Sequence, residues 1–381
     1  MLNIILSTDC IKYPLTGIGR YAFELAQELQ QRNNVSLRFL HGLQMQDNLA
    51  IAAETAPAVQ GIKRKLQKSK LVNDVYRLTW PLAKSWALRK QPPHIFHSPN
   101  YYIPPGVSHA VATFHDLSIF HWPQFHPAGR VHLMQRELHN TVKRAQHLIT
   151  DSAYTRRELS EFFSLDEANI TVAPLACNNS FHLRDEQDVT QVLNKYGLRW
   201  KSYFLYTGTI EPRKNIITLL RAYDALSADE KRHFPLVISG YKGWENSELF
   251  SLFERGEREG WLKYLGYVPG SELPLLYSGA RAFVFPSTYE GFGLPVLEAM
   301  ASGTPVICSN ASSLPEVVGE CALLHHPEDV ALLTQHLSTI INNNILYQQL
   351  SQQGPERAQH FSWSHCADQT ISAYEQVART L

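Results

Sequence analysis

Cysteine is sparse and scattered in this chain. Cys10, Cys177, Cys308, Cys321 and Cys366 make an odd set of five with no C-x-x-C pair, which argues against a disulfide frame and a zinc knuckle and fits a reducing cytosol. A charge excess is lacking too: 35 Lys and Arg balance 35 Asp and Glu, whereas a dedicated nucleic-acid binder usually carries a clear basic surplus. No apolar run reaches the roughly 18 residues that span a bilayer, and Leu2–Leu6 is too short for a signal peptide and lacks a basic flank. The protein is therefore expected to be soluble or peripheral, and cytoplasmic. Histidine is plentiful around His97, His115, His121, His126 and His132, yet the spacings match neither H-E-x-x-H nor a Cys/His site, and D-x-D is missing. No metal is expected. His97 and His121 read as hydrogen-bonded structural histidines.

At 381 residues the chain is too long for one ordinary core and suits two domains. Strand and helix patterns alternate, twice over. The first series has strands at Asn3–Ser7, Val35–Leu40, Ile95–Phe96, Ala110–Phe114, His147–Thr150 and Ile170–Val172, with an amphipathic helix over Gly19–Gln31. The polar, acidic stretch Asn178–Arg199 loses the strand rhythm and reads as a linker. A second series follows, with strands at Tyr203–Thr207, Leu236–Ser239, Lys263–Leu265, Ala282–Phe285, Pro305–Cys308 and Ala322–Leu324. Such alternation predicts an α/β architecture of two facing, doubly wound parallel sheets, with ligands at the carboxyl ends of the strands. The expected domains are 1–185, joined by a closing helix over about 364–381 that crosses back at Trp363, and 200–363.

The densest chemistry lies in Tyr289-Glu290-Gly291-Phe292-Gly293-Leu294-Pro295-Val296-Leu297-Glu298. It follows the buried strand Ala282–Phe285 and opens a helix that stops at Gly303, so Glu290 lies in a turn and Glu298 about one turn inside the helix. Amides near Gly293 add donors for an anionic or polyhydroxylated ligand. A second motif, Gly208-Thr209-Ile210-Glu211-Pro212-Arg213-Lys214-Asn215, places two cations where a helix opens, against the macrodipole; a bound diphosphate would reverse that sign, while solvated surface pairing is the bland alternative. A third, Gly17-Ile18-Gly19-Arg20-Tyr21-Ala22, has the letters of a dinucleotide fingerprint. Its context is wrong for one, because Asp9–Thr16 separate it from the strand and the second strand ends at Leu40-His41-Gly42 without a ribose-reading acid.

The run E-G-F-G-L-P-x-L-E-A-M-A-x-G-x-P-V closely resembles the signature of retaining glycosyltransferases of family 4, whose GT-B fold has two facing Rossmann-like domains. The resemblance implies that Glu290 contacts the donor sugar and Glu298 the nucleotide ribose. It makes Arg213 and Lys214 the diphosphate clamp, with Arg213 covering for an arginine that many members carry where this chain has Thr209. Gly17 and Gly19 are expected against the donor phosphate, Thr16 standing where members have a further glycine, and His115 of Thr113-Phe114-His115-Asp116 beside the transferred sugar. Phe292, Gly293 and Leu294 would line the donor, and Tyr267, Val268 and Tyr241 would lie near the base. G-T-I-E-P-R-K-N with G-Y-V-x-x-x-E-L-x-x-L-Y-x-x-A looks most like the O-antigen mannosyltransferase B subgroup.

The implied activity is metal-independent, retaining hexosyl transfer, with GDP-mannose as donor and a saccharide, lipid-linked, as acceptor. A front-side substitution is favoured, and a two-step route through a carboxylate nucleophile stays open. A sugar-nucleotide epimerase and a non-catalytic sugar-nucleotide binder are the rival readings, separable by whether the donor is converted without acceptor, left intact, or consumed as glycoside forms. Domain closure around the donor is expected. Ile62–Lys90 is rich in Lys and Arg, with Asp74 its lone acid and Trp80 and Trp86 among its apolar residues. It is read as a peripheral contact with anionic membrane, or else as a solvated helix on the first domain.

Overall fold

The computed structural model describes residues 1–13, 15, 17–49, 70–125, 128–241, 243 and 247–379, and for 70–78, 128, 130 and 247 the backbone alone. Thr16, His126 and the 62–69 part of the basic segment lie outside the described residues.

The chain divides into two compact units, one of Met1–Asp151, Arg156–Ala173 and Trp363–Leu381, the other of Ser152–Thr155 and Pro174–Ser362. In the first, seven strands are ordered β3-β2-β1-β4-β5-β6-β7: β1 Leu2–Ser7, β2 Val35–His41, β3 Gln44–Gln46, β4 Ile95–Ser98, β5 Ala110–Phe114, β6 His147–Thr150 and β7 Ile170–Val172. All pair in parallel except β3, which turns back antiparallel on β2 through Gly42 and has no apolar signal of its own in Gln44-Met45-Gln46. β4, β5 and β6 are buried at every position, as strands covered on both faces must be, and this is why they read as continuous apolar runs. The sheet reverses its winding between β1 and β4, where Ile4 pairs Ile95. The helix Gly17–Gln30 follows β1 and buries Tyr21, Leu25, Ala26 and Leu29, a stripe of helical period.

The second unit has six parallel strands in the order β10-β9-β8-β11-β12-β13: β8 Phe204–Thr207, β9 Leu236–Ser239, β10 Leu262–Gly266, β11 Ala282–Phe285, β12 Val306–Ser309 and β13 Ala322–His325. Its winding reverses between β8 and β11, where Ala282 pairs Phe204. At such a switch point the loops leaving two adjacent strands diverge and leave a crevice at their carboxyl ends. Gly240 is held by close approach as well as by its φ of +143°: a Cβ there would stand 1.8 Å from the carbonyl oxygen of Gly208, so the loops after β8 and β9 touch backbone to backbone.

The expected linker is instead part of the second unit. Glu186–Lys195 is a helix opened by an Asp185/Asp188 capping box, with Val189 and Leu193 buried under an otherwise polar face. Leu193 packs at Gly279, Phe181 meets Tyr277 edge-on at 5.5 Å, and the Tyr196 hydroxyl donates to Glu272 at 2.5 Å. Counting polar residues missed this because a two-residue apolar stripe is enough to seat a short helix. The expected boundaries at 185 and 200 shift accordingly, to between Ala173 and Pro174. The closing helix, Trp363–Ala378, belongs to the first unit, burying Trp363, Ala367, Thr370, Tyr374 and Val377, and Arg32 ties it down through Ser364 and Asp368.

Candidate active site

In the second unit the loops leaving β8 and β11 meet at the switch point, and the sequence explains how. After β8 the chain turns through Gly208, then Pro212 starts a 3-10 turn, Pro212–Lys214, that ends on Asn215 in the left-handed region at φ 54°. Asn215 stitches the loops together, its Nδ2 donating to the carbonyls of Pro286 at 3.1 Å and Pro327 at 2.7 Å. Thr288 returns the contact, with its amide at 2.8 Å and its hydroxyl at 3.0 Å from the Arg213 carbonyl. Arg213 and Lys214 therefore precede the helix Ile216–Asp224 and do not form its first turn. Carboxylates of the fold, Glu211 and Glu290, pair with both cations.

Glu290 is the centre of this arrangement. Its Oε1 accepts from Lys214 Nζ at 2.6 Å and from Ser287 Oγ at 2.6 Å, and its Oε2 accepts from Arg213 Nη1 at 3.3 Å. Arg213 also donates to the Tyr289 carbonyl at 3.1 Å and pairs Glu211 at 2.6 Å. Ser312 and Ser313 fix the Glu290 backbone, Ser312 Oγ accepting the Glu290 amide at 2.9 Å and Ser313 Oγ donating to the carbonyls of Glu290 at 2.8 Å and Phe292 at 2.6 Å. Burial alone would raise the Glu290 carboxyl, but Lys214 and Arg213 outweigh it and hold the group below its ordinary range. Lys214 is pushed the other way: burial depresses its ammonium, Arg213 adds to that, and Glu290 compensates only in part. The pair is ionised, because a carboxylate between two cations gains more than it loses on leaving water. Burial still disfavours the Lys214 cation.

The remaining expected donor contacts lie along the same edge of the second sheet. Thr209 is exposed after β8; Phe292, Gly293 and Leu294 form the turn into the helix Leu294–Ala301. Glu298 is half-buried in that helix and accepts from the Tyr277 hydroxyl, which in turn takes a bond from Thr207 Oγ1 at 2.5 Å. Val268 is buried, whereas Tyr267 and Tyr241 are 53 % and 60 % exposed and stack on one another at 5.6 Å and 24°. The loop carrying Thr209 reaches them, the Ile210 amide donating to the Tyr241 carbonyl at 2.8 Å.

The first unit carries Gly17, Gly19 and His115. Gly17 is exposed with open space where a Cβ would stand, while a Cβ on Gly19 would press to 2.9 Å of the Cys10 carbonyl oxygen, so close packing alone accounts for Gly19. His115 leaves β5 and has both ring nitrogens engaged: Nδ1 with Asp151 at 2.7 Å and Nε2 with the Pro99 carbonyl at 2.9 Å. Two acceptors require two N–H donors, hence an imidazolium. Burial would lower its pKa, but Asp151 first and then the Pro99 carbonyl hold it above the ordinary value. Both ring nitrogens of His115, expected beside the transferred sugar, are thus engaged by the fold itself. Asp116, its neighbour, caps the short helix Ser118–His121 through the Ser118 amide at 3.0 Å. His97 is structural, as read: it bridges Tyr374 at 2.6 Å and Thr113 at 2.9 Å, and burial with the His115 charge pushes it down to about 3.

Glu211, Ser287, Ser312, Ser313 and Asp151 were missed by sequence reasoning. For Ser287 a signal existed, a hydroxyl three residues before Glu290 in a turn; Asp151 lies 36 residues from His115 and gave none. Among the described residues, no group of three or more His, Cys, Asp or Glu is placed to hold a metal ion.

Two family patterns match this chain, Glycosyltransferase Family 4 over residues 15–180 and Glycosyl transferases group 1 over residues 193–357. The chain belongs to this family of glycosyltransferases, and its paired doubly wound units are those of the GT-B fold. It is 42 % identical to the O-antigen chain mannosyltransferase B of Escherichia coli, over 98 % of this chain and 100 % of that one. Among solved structures, WaaG, a glycosyltransferase involved in lipopolysaccharide biosynthesis, superposes with a TM-score of 0.70 at 13 % identity, covering 98 % of both chains. Anabaena HepE, in complex with UDP and glucose, gives 0.68 at 15 % identity over 100 % of this chain and 99 % of that one.

Proposed function

We propose that this glycosyltransferase is a mannosyltransferase of O-antigen assembly, moving mannose from GDP-mannose to a lipid-linked saccharide with retention at the anomeric carbon and without a metal. The observation that carries the reading is the Lys214–Glu290–Arg213 cluster around the buried Glu290 at the switch point of the second unit. The likeness to an E. coli mannosyltransferase supports the choice of sugar.

Departure of the diphosphate gathers negative charge on its oxygens while the sugar ring becomes positive. Lys214, whose cation is disfavoured by burial, gains most from such a partner, and Arg213 adds a planar fork for two oxygens. Glu290 holds both cations in place and, once the diphosphate takes over part of their charge, has acceptor capacity left for a sugar hydroxyl. The acceptor hydroxyl attacks from the leaving group's side and passes its proton to the departing phosphate. Glu298 would take the ribose, and the Tyr241/Tyr267 stack with Val268 the base; Thr209, Phe292, Gly293 and Leu294 would line the donor. Gly17, open where a side chain would stand, would admit a phosphate oxygen, while Gly19 lets the turn pack against Cys10 beneath it. His115, with both nitrogens engaged, acts as a fixed cation that sets the 99–102 loop, a positioning role.

Peripheral membrane contact is part of the proposal. On the helix Lys70–Arg89, Leu82 and Trp86 are each 63 % exposed one turn apart, and Lys90 lies 3.3 Å over the Trp86 ring. Lys84 does not share that role, being buried on Asp9. Sedimentation with anionic vesicles should fall several-fold in a Leu82→Ser/Trp86→Ser double variant; no binding by the parent protein would refute the contact. For the activity, incubation with GDP-mannose, a mannosylated acceptor and EDTA should release GDP in step with product. GDP release without glycoside, or donor conversion without acceptor, would overturn it.

A further inference from the structure

The turn after Glu290, Gly291-Phe292-Gly293, has two glycines among its three residues, so its backbone has no shape of its own and takes one from its neighbours. Hydroxyls supply it. Three successive carbonyls are each met by one: Ser313 reaches those of Glu290 and Phe292, and the Gly291 carbonyl between them accepts from Ser152 Oγ at 2.7 Å and from Thr155 Oγ1 at 3.1 Å. Both donors lie in Ser152–Thr155, the short stretch after β6 that belongs to the second unit. Resting on the transferase reading above, we infer that Ser152 and Thr155 are positioning residues for sugar transfer, which fix the Glu290 carboxylate through the peptide that follows it.

Satisfying a buried carbonyl does not require this arrangement. One donor is enough for that, whereas Gly291 receives two, both from fully buried side chains. The same four residues also hold the other neighbour of Glu290, because the Tyr154 ring meets that of Tyr289 edge-on at 6.2 Å and 72°. Glu290 therefore stands between two fixed residues. The four are made rigid in turn: Ser152 Oγ accepts the Thr155 amide at 3.1 Å, the cap that opens the helix Ala153–Phe163, and Glu316 of the helix Leu314–Val318 accepts the amides of Ala153 at 2.9 Å and Tyr154 at 3.2 Å. A carboxylate on the first amides of a helix is what its dipole favours.

What this secures is the aim of the carboxylate. Glu290 presents one oxygen to Lys214 at 2.6 Å and the other to Arg213 at 3.3 Å, and a backbone shift of about 1 Å would open these bonds, a misplacement that costs about 10²-fold in rate. The cations themselves would keep other partners, Arg213 on Glu211 and Lys214 over the Phe285 ring at 5.1 Å. Binding of the diphosphate is then largely spared while the chemical step suffers.

The test is steady-state release of GDP from GDP-mannose by the full chain, with an α-mannotrioside as acceptor. Thr155→Val removes one hydroxyl at constant shape and is expected to lower kcat about three- to tenfold; Ser152→Ala/Thr155→Val, which strips both donors from the Gly291 carbonyl, about ten- to hundredfold. The KM for GDP-mannose should stay within about threefold in both, since a loss confined to kcat marks an interaction needed in the transition state. Thr155→Ser keeps the hydroxyl and should hold kcat within about twofold of the parent protein. Thr155→Ser no more active than Thr155→Val would overturn the role, because the loss would then follow the methyl group, and so would a parent-like kcat in Thr155→Val. A KM that rises in step with the fall in kcat would also overturn it, reducing the pair to scaffolding. Where the double variant fails to fold, the Val and Ser variants decide alone. Failure of the transferase reading looks different: the parent protein would then release no GDP with the trioside present, and the positioning role would fall with it.

Discussion

His115 in the first unit and Glu290 in the second are both buried ions at the carboxyl end of a parallel strand, yet their surroundings differ in one respect. His115 is one cation with one carboxylate and one carbonyl on its two nitrogens, so neither nitrogen is free, and Asp151 Oδ1 is buried without a hydrogen bond. Glu290 is shared between Lys214 and Arg213, Arg213 has Glu211 as well, and burial still disfavours the Lys214 cation. A histidine closed on both nitrogens is suited to holding a loop; a network that keeps a disfavoured ammonium is suited to binding a further anion. The contrast separates positioning from binding without reference to where either residue falls in the sequence.

The sharpest way to break the contrast is to remove the disfavoured cation. Lys214→Met should lower kcat about 10²- to 10³-fold, the usual effect of deleting one group that stabilises transition-state charge, in a steady-state assay of GDP release. Glu290→Gln should fall nearly as far in activity and, by leaving the Lys214 ammonium without its carboxylate while Arg213 keeps Glu211, cost about 3 kcal/mol in denaturant unfolding.

Asp151→Asn probes the closed side. It should reduce activity about tenfold while leaving the KM for GDP-mannose unchanged, because it acts through His115 on the first unit. It also has a pH signature. The folded pKa of His115 lies above its unfolded value of about 6.5, so its contribution is complete below that value and is lost as pH rises through the folded pKa. Unfolding free energy measured across this range should slope downward in the parent protein and flatten in Asp151→Asn. Glu290 has the opposite sign: its folded pKa lies below the unfolded value of about 4.3, so its stabilisation is present above that and fades as pH falls through the folded pKa. Smallest of all, Tyr267→Ala should weaken GDP binding a few-fold by titration calorimetry, leaving both ion clusters intact.

Strand positions were legible because parallel strands buried on two faces are continuous apolar runs; Ala110–Phe114 and Ala282–Phe285 fall where the residues place them. β3 was not, since Gln44-Met45-Gln46 pairs by backbone alone at an edge. Glu290, Arg213 and Lys214 announced themselves by local motif, and local motifs are what a sequence displays. What each one touches was hidden. Lys214 meets Glu290 across 76 residues, and His115 meets Asp151 across 36, so the distinction between a clamp and a closed pair needed the folded chain.

Titration calorimetry of GDP against the parent protein and Lys214→Met, in EDTA and at fixed ionic strength, tests the central claim most directly. Affinity should drop at least tenfold in the variant, with binding to the parent protein weakening as salt is raised. Equal affinity for GDP in the two proteins would contradict a diphosphate site built on the Lys214–Glu290–Arg213 cluster.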